Sequence, residues 1–357
     1  MAAFFQAARY SAVSARVHAL LPQLVQPIQW AILLDAPDLT SLFALLRSLY
    51  GLPAQILLGE AKPDVVRAER DLKSHYAVAA RRPLNLLYNR QLELLDWFWR
   101  RFELDNVKTL LRAVHHGSPP SQAYDALIAL NASPSLPWDE LVASPSIPAL
   151  IERLAGFWYE RTLRDALPQY HRQQAVFPLE VALDLAYHST LLDLVNQLRG
   201  AEHADADAFL RAWVDAQNIL WAFRYRFYAQ LSSEEILNYT LHHGLRADAE
   251  VVRAIAMGAP LADVVESVWG AGLAGIEGFA GLEERELAPR LELVLQRHFY
   301  RLAKRALVIS PMRLATVLAY EFLLDSEMRD LTAVIEGKSY GWPAVQIQPY
   351  LIAERGQ

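Results

Sequence analysis

The chain has 357 residues, 53% of them hydrophobic and 21% charged, with a formal net charge of -6. That is ample for a buried core, and it gives no overall basic field of the kind that marks a nucleic-acid binder. With no cysteine, a disulfide framework, a thiolate nucleophile and sulfur-ligated metal sites are all excluded, and a reducing cytoplasm is compatible.

The N-terminal MAAFFQAARYSAVSARVHALL has no acidic residue and carries Arg9 and Arg16. No basic segment precedes its apolar residues, as a secretory signal requires, so it reads as an ordinary first helix. Elsewhere charges interrupt each apolar stretch before it reaches the roughly 20 residues that span a bilayer. In ELDNVKTLLRAVHHG, Val107, Leu110, Leu111 and Val114 recur at i, i+3, i+4, i+7, the signature of a helix with one apolar face. At about 100° per residue Glu103 projects from that same face, which predicts a half-buried carboxylate paired with the amide at i+3 or with an arginine from a facing helix. The adjacent His115 and His116 point about 100° apart on a helix and cannot share one ion. Preceding Gly117, they suit a helix C-terminus.

Pro119, Pro120, Pro134, Pro137, Pro145 and Pro148 crowd one region and predict a junction. FPLEVALDLAY follows at 177–187, with Leu183, Ala186, Tyr187 and Thr190 in helical register; the short acidic AEHADADAF at 201–209 reads as a second break. Next comes VDAQNILWAFRYRFY at 214–228, whose aromatics Trp221, Phe223, Tyr225 and Phe227 alternate as in a strand with Arg224 and Arg226 between them. A base-stacking platform of Trp221, Tyr225 and Arg226 is chemically conceivable, but the chain gathers no basic face around it. His242 and His243 precede Gly244 as a second polar helix end.

GAGLAG at 270–275, with Glu292 about 20 residues beyond, satisfies the dinucleotide fingerprint. That fingerprint works only between a strand and a helix, and here LADVVESVW precedes it with helical spacing at Leu261, Val264, Val265 and Val268. Leu291, Val294, Leu295 and His298 continue the helical period. GKS at 337–339 lacks the first glycine of a phosphate loop, since Thr332 stands in its place, and Gly337 reads instead as the positive-φ end of a helix. No hairpin dipeptide, nucleophile elbow or H-E-x-x-H occurs, so no catalytic, cofactor-binding or metal-ligating residue is assigned.

Three segments align at one period. Asn106 and Asn218 are 112 positions apart, and a further 112 leads to Asp330. The acids Glu103, Asp215 and Glu327 align, as do Val107, Ile219 and Leu331, then Leu110, Ala222 and Val334, then Leu111, Phe223 and Ile335. Arg112 and Arg224 match, whereas the third copy has Glu336 there and Asp330 in place of asparagine. The first copy is helical, so the second is read as a heavily buried helix whose alternation is incidental. A period far above the ~20–50 residues of solenoids predicts three similar helical lobes, at 1–120, 121–232 and 233–357, in an all-α fold. The acid and amide are expected to tie helices together.

The repeated acid-x-x-Asn-aliphatic pattern with its arginine (Glu103, Asn106, Arg112; Asp215, Asn218, Arg224) resembles a known family, as do YSAVSARVHAL with Tyr10, Ala15, Arg16 and Val17, FPLEVALDLAY, and the closing EMRDLTAVIEGKSYG. In order and spacing they resemble the C subunit of prokaryotic V/A-type rotary ATPases, equivalent to the eukaryotic d subunit, over essentially the full length. Leu324 and Asp325 depart from that family's usual basic-acidic pair. The resemblance implies a non-catalytic, cofactor-free funnel of three helical lobes, peripheral on the cytoplasmic face of the membrane. Its partners would be the proteolipid rotor ring and the central-stalk subunits, with neither nucleic acid nor a small-molecule substrate, and it would transmit torque between ATP chemistry and ion transport. Two other classes are a generic α-helical adaptor, which would not bring down a proteolipid ring, and an all-α enzyme using Glu103 and Asp215 as acid and base, which needs both in one cleft.

Overall fold

A computed structural model describes residues 2–50, 64–130, 136–242, 246–270, 273, 282 and 284–353. Among these residues every regular element is helical. The chain opens with α1 (Ala2–Leu20), α2 (Pro27–Leu34) and α3 (Leu39–Tyr50), followed by α4 (Val65–Arg81), α5 (Asn89–Trp99) and α6 (Arg101–His115). Three short helices come next: α7 (Pro120–Asp125), α8 (Trp138–Val142) and α9 (Ile147–Arg153). The middle of the chain holds α10 (Trp158–Gln173), α11 (Phe177–Gln197), α12 (Gly200–Ala206) and α13 (Ala212–Phe227). A second short group follows, α14 (Ser233–Asn238), α15 (Ala249–Met257) and α16 (Leu261–Trp269). Two long helices, α17 (Glu284–Ile309) and α18 (Leu314–Ser339), precede a last turn, α19 (Ala344–Ile347).

Local chemistry explains many of these boundaries. Four prolines of the crowded region mark helix starts: Pro120 and Pro148 lie in first turns, where a missing N–H costs nothing, and Pro119 and Pro137 directly precede α7 and α8. Asp64, Ser146, Ser232 and Asp248 cap α4, α9, α14 and α15 by accepting from exposed first-turn N–H groups. Helix α6 ends at His115, and Gly117 at φ +67° lets Ser118 N–H return to the Ala113 carbonyl at 2.9 Å.

Three expectations are corrected. AEHADADAF is no break: it forms α12 and runs through a π-helical turn, Asp207–Arg211, into α13. Its acids are paired within the fold: the Asp205 carboxylate pairs with Arg313 and accepts the Ala315 N–H at 3.1 Å at the start of α18, Asp207 pairs with Arg211, and Glu202 accepts from Tyr10 and Gln91. Gly337 does not end a helix either, since α18 continues to Ser339. A Cβ there would lie 2.6 Å from Ile347 Cγ1, so the glycine serves the close approach of α19. The third concerns length: on residue count and hydropathy alone, Tyr10–Leu34 is apolar enough to cross a membrane. The backbone interrupts it at the 3-10 turn Leu21–Gln23 and the following residues, and Tyr10, Val13, Val17, Trp30 and Leu33 are buried in the core.

The alternating stretch is the helix α13, with Asn218, Ile219, Ala222 and Phe223 buried. Complete burial of Phe223 or Ile219 contributes about 1.5–3 kcal/mol each. The apolar interior falls into two clusters. The larger draws on α1–α5 and on α11–α18; the smaller, from Leu104 to Tyr187, lies among α6–α11. Trp97 and Trp213 pack against both. α18 packs on α17, α4, α1 and α12, α13 packs on α15 and α17, and α11 packs on α10 and α5. The last long helix therefore returns to the first part of the chain.

Candidate functional site

The aligned amide positions sit on α6, α13 and α18, each buried, and each grips backbone that follows a short helix. Asn106 accepts from Ile128 N–H and donates to the Ile128 carbonyl, both at 2.8 Å, just past α7. Asn218 accepts from Leu241 N–H at 2.8 Å and donates to the carbonyls of Leu241 at 2.9 Å and Ala247 at 2.8 Å, past α14. Asp330 accepts from Ile352 N–H at 2.5 Å and Ala353 N–H at 3.0 Å, past α19. The N–H groups that these side chains accept lie 22 or 23 positions downstream. The difference follows from side-chain chemistry: an amide offers one donor group and one acceptor and closes on the N–H and carbonyl of a single residue, whereas a carboxylate only accepts and meets two N–H groups.

The acids take other partners. Glu103, at 3% exposure, is fully rather than half buried. It accepts from the Tyr159 hydroxyl of α10 at 2.6 Å and from Arg100 Nη1 at 3.2 Å, not from Asn106 or an arginine across an interface. Burial raises its pKa against the opposing Tyr159 bond and Arg100 charge. Asp215 accepts from Ala247 N–H at 2.7 Å, and burial pushes it up to about 6. Glu327 accepts from the Tyr76 hydroxyl of α4 and from Val25 N–H, both at 2.6 Å, joining α18 to two separate points in the first part of the chain. Glu103 on α6 thus serves a tyrosine of α10, whereas Asp215 on α13 serves backbone past α14.

Arg112 Nε reaches Glu180 on α11 at 2.5 Å and Arg224 Nη2 reaches Glu292 on α17 at 2.6 Å, each 68 residues downstream. Lys108 and Asp184 pair beside the first bridge. From Glu292 the charges continue to Arg329 at 3.1 Å and on to Asp325 at 2.8 Å. Burial alone would raise Asp325, but Arg329 and Arg101 together hold it below its usual range. Arg101, lying over the rings of Phe98 and Phe102, reaches Glu321 on α18 at 3.5 Å. Glu321 is pushed up to about 7 by burial, with Arg101 opposing.

Sequence reasoning missed Tyr76, Tyr159, Glu180, Asp205 and Arg313, and considered Glu292 only as a ribose ligand. One signal was available: Glu180 and Glu292 are themselves 112 positions apart. The tyrosines carry no such signal. The motifs that invite chemistry have structural surroundings. Tyr225 is buried, Trp221 meets His188 edge-on at 4.8 Å, and Arg226 lies over Phe227 and donates to the Ile255 carbonyl, so no stacking platform faces outward. LADVVESVW is α16, a helix, ahead of GAGLAG, most of which lies outside the described residues, as do His243 and Gly244. GKS lies within α18. Among the described residues no group of three or more His, Asp or Glu is arranged to hold a metal.

The model of one protein family, described as ATP synthase (C/AC39) subunit, matches residues 13–350. The chain is 22% identical over 349 residues to the C subunit of the A-type ATP synthase of Methanocaldococcus jannaschii, covering 97% of this chain and 87% of that one. It is 26% identical over 258 residues to the protein of the same name from Haloquadratum walsbyi, covering 71% and 72%. The corresponding protein of Halobacterium salinarum is 23% identical over 267 residues, covering 74% and 75%.

Proposed function

Since the chain belongs to the ATP synthase (C/AC39) subunit family, and so is a subunit of a membrane-associated ATPase rather than an enzyme in its own right, we propose that it works as a passive connector between two rotating parts. In this reading it sits peripherally on the cytoplasmic face of the membrane. One side seats on the proteolipid rotor ring, and the other receives the central-stalk subunits, so that torque passes between ATP chemistry and ion transport. It needs no cofactor, nucleic acid or small-molecule substrate.

What supports the reading is the family match across residues 13–350 together with the side chains that grip backbone. A torque-transmitting part must resist deformation. Directional hydrogen bonds from Asn106, Asn218 and Asp330 fix the segments after α7, α14 and α19 in place, where apolar packing alone permits sliding. We also read the three grips as equivalent parts of three similar lobes, at 1–120, 121–232 and 233–357.

The test is association. The tagged chain, expressed in its native host and extracted in mild detergent, should bring down a proteolipid ring and stalk subunits. Recovery of the chain alone, or with soluble partners only, contradicts the connector and favours a generic helical adaptor.

A further inference from the structure

Glu292 on α17 takes Arg224 from α13 and Arg329 from α18, so these two helices turn charged side chains toward the same point. Arg101 at the start of α6 reaches Glu321 on α18 at 3.5 Å. Rings around the starts of α6 and α13 meet the same part of α18: Phe98 stacks on Phe322 at 5.9 Å, Phe209 lies 5.3 Å from Phe322, and Trp213 meets Phe98 edge-on at 5.5 Å. Phe98 and Phe322 are two periods of 112 apart, so aligned points of the chain converge there on an aromatic plug.

Beyond the plug the three helices open to water at the same aligned levels, positions 101, 105, 109 and 112 on α6 and their counterparts one and two periods on in α13 and α18. Spacings of three and four residues keep each set on one helix face. Asp105 is open to water, yet desolvation by the surrounding chain raises its pKa, with Lys108 opposing most, as befits a side chain on a concave wall.

The level one turn beyond the plug breaks the likeness of the three walls. It carries an acid on α6, Asp105, an amide on α13, Gln217, and a base on α18, Arg329. Arg329 is held by Asp325 and Glu292, while Lys108 and Arg101 beside the acid are drawn to Asp184 and Glu321. Among the described residues the Asp105 carboxylate and the Gln217 amide take no hydrogen bond or ion pair within the chain. A rod entering between three like walls meets three equivalent seats about a third of a turn apart. An unpaired acid on one wall removes that degeneracy for a rod with a base on one side.

We propose that Asp105 is a rotational key: the concave space between α6, α13 and α18 receives the end of a helical partner whose basic side chain pairs with Asp105. Gln217 offers that base no charge and Arg329 repels it, so the other two seats are refused. The inference rests on the connector reading, in which the partner is a central-stalk subunit, and on the repeat that aligns the three walls.

Because the chain has no cysteine, Thr109→Cys on α6 and Ala333→Cys on α18, at aligned positions, each give a single attachment point for a photo-crosslinker. In the complex assembled in the native host, peptide mapping should find the two points marking different sides of one stalk subunit, each side favoured about fivefold, as one charge pair permits. Asp105→Asn should bring both sides to similar shares at both points. Asp105→Asn combined with Gln217→Asp moves the acid one wall on, and Thr109→Cys should then mark the side that Ala333→Cys marks when residues 105 and 217 are unchanged. Crosslinks indifferent to both variants, or evenly mixed before either is made, overturn the key and leave the connector in place. A chain that brings down stalk subunits but crosslinks them from neither point does the same. Recovery without any stalk subunit removes the connector, and the key with it.

Discussion

Asn218 and Asp330 occupy aligned positions on α13 and α18 and perform related tasks with different bonds. Asn218 closes on both sides of Leu241 and also reaches Ala247, whereas Asp330 takes two successive N–H groups, from Ile352 and Ala353. The backbone downstream differs to match: one segment turns a donor and acceptors to the side chain, the other turns two successive donors to it. A residue that looks degenerate in an alignment can therefore mark a loop that offers the helix a different set of atoms. The comparison also shows that the grip depends on matching donors to acceptors, not on burial alone.

The largest predicted effect comes from emptying one grip. Asn218→Leu leaves the buried N–H and carbonyl of Leu241 and the carbonyl of Ala247 unpartnered, at about 1–3 kcal/mol for each group left without compensation. Denaturant unfolding should show a loss of about 3 kcal/mol or more, and an unchanged midpoint contradicts the structural role. Swapping the two chemistries sharpens the comparison. Asp330→Asn turns an amide donor toward a backbone donor, and Asn106→Asp turns a carboxylate toward the Ile128 carbonyl. Each should cost about 1–3 kcal/mol despite near-identical shape, and tolerance of both would mean that donor matching is irrelevant.

A pH difference comes next. Asp215 and Glu321 have folded values raised to about 6 and about 7 from 3.8 and 4.5. A carboxylate with a raised folded value contributes stability that is fully present below its unfolded value and is lost as pH rises through the folded one. Buried His188, lowered to about 3 from 6.5, acts in the opposite direction: its contribution is present above pH 6.5 and declines below it. The informative quantity is therefore the native chain minus Glu321→Gln. That difference should fall between about pH 4.5 and 7 and level off above, and a flat difference would mean that burial does not hold the Glu321 proton. The smallest effect belongs to the bridges: with Arg224 at 44% side-chain exposure, Arg224→Ala should cost about 1 kcal/mol or less.

Local pattern carried much of the fold. The i, i+3, i+4, i+7 spacing of Val107, Leu110, Leu111 and Val114 identified α6, and alignment to it resolved the strand-like look of α13. Single-residue readings failed where tertiary packing decided. Gly337 has the composition of a helix end but answers to Ile347, and the acids of 201–209 are spent on partners as distant as Tyr10, Gln91 and Arg313. At the site, the positions of the acids and amides were legible, but their partners were not. Glu103 takes a tyrosine 56 residues away and Glu327 one 251 residues away, and no local spacing encodes such choices.

The most direct measurement is residue-resolved hydrogen exchange of the amides of Ile128, Leu241 and Ile352 in the native chain and in variants at 106, 218 and 330. All three amides should be protected well beyond their loop neighbours, and each variant should release the amide 22 or 23 residues downstream before the other two. Three amides exchanging at the rate of the surrounding loops, or variants that loosen the chain uniformly, would contradict the account.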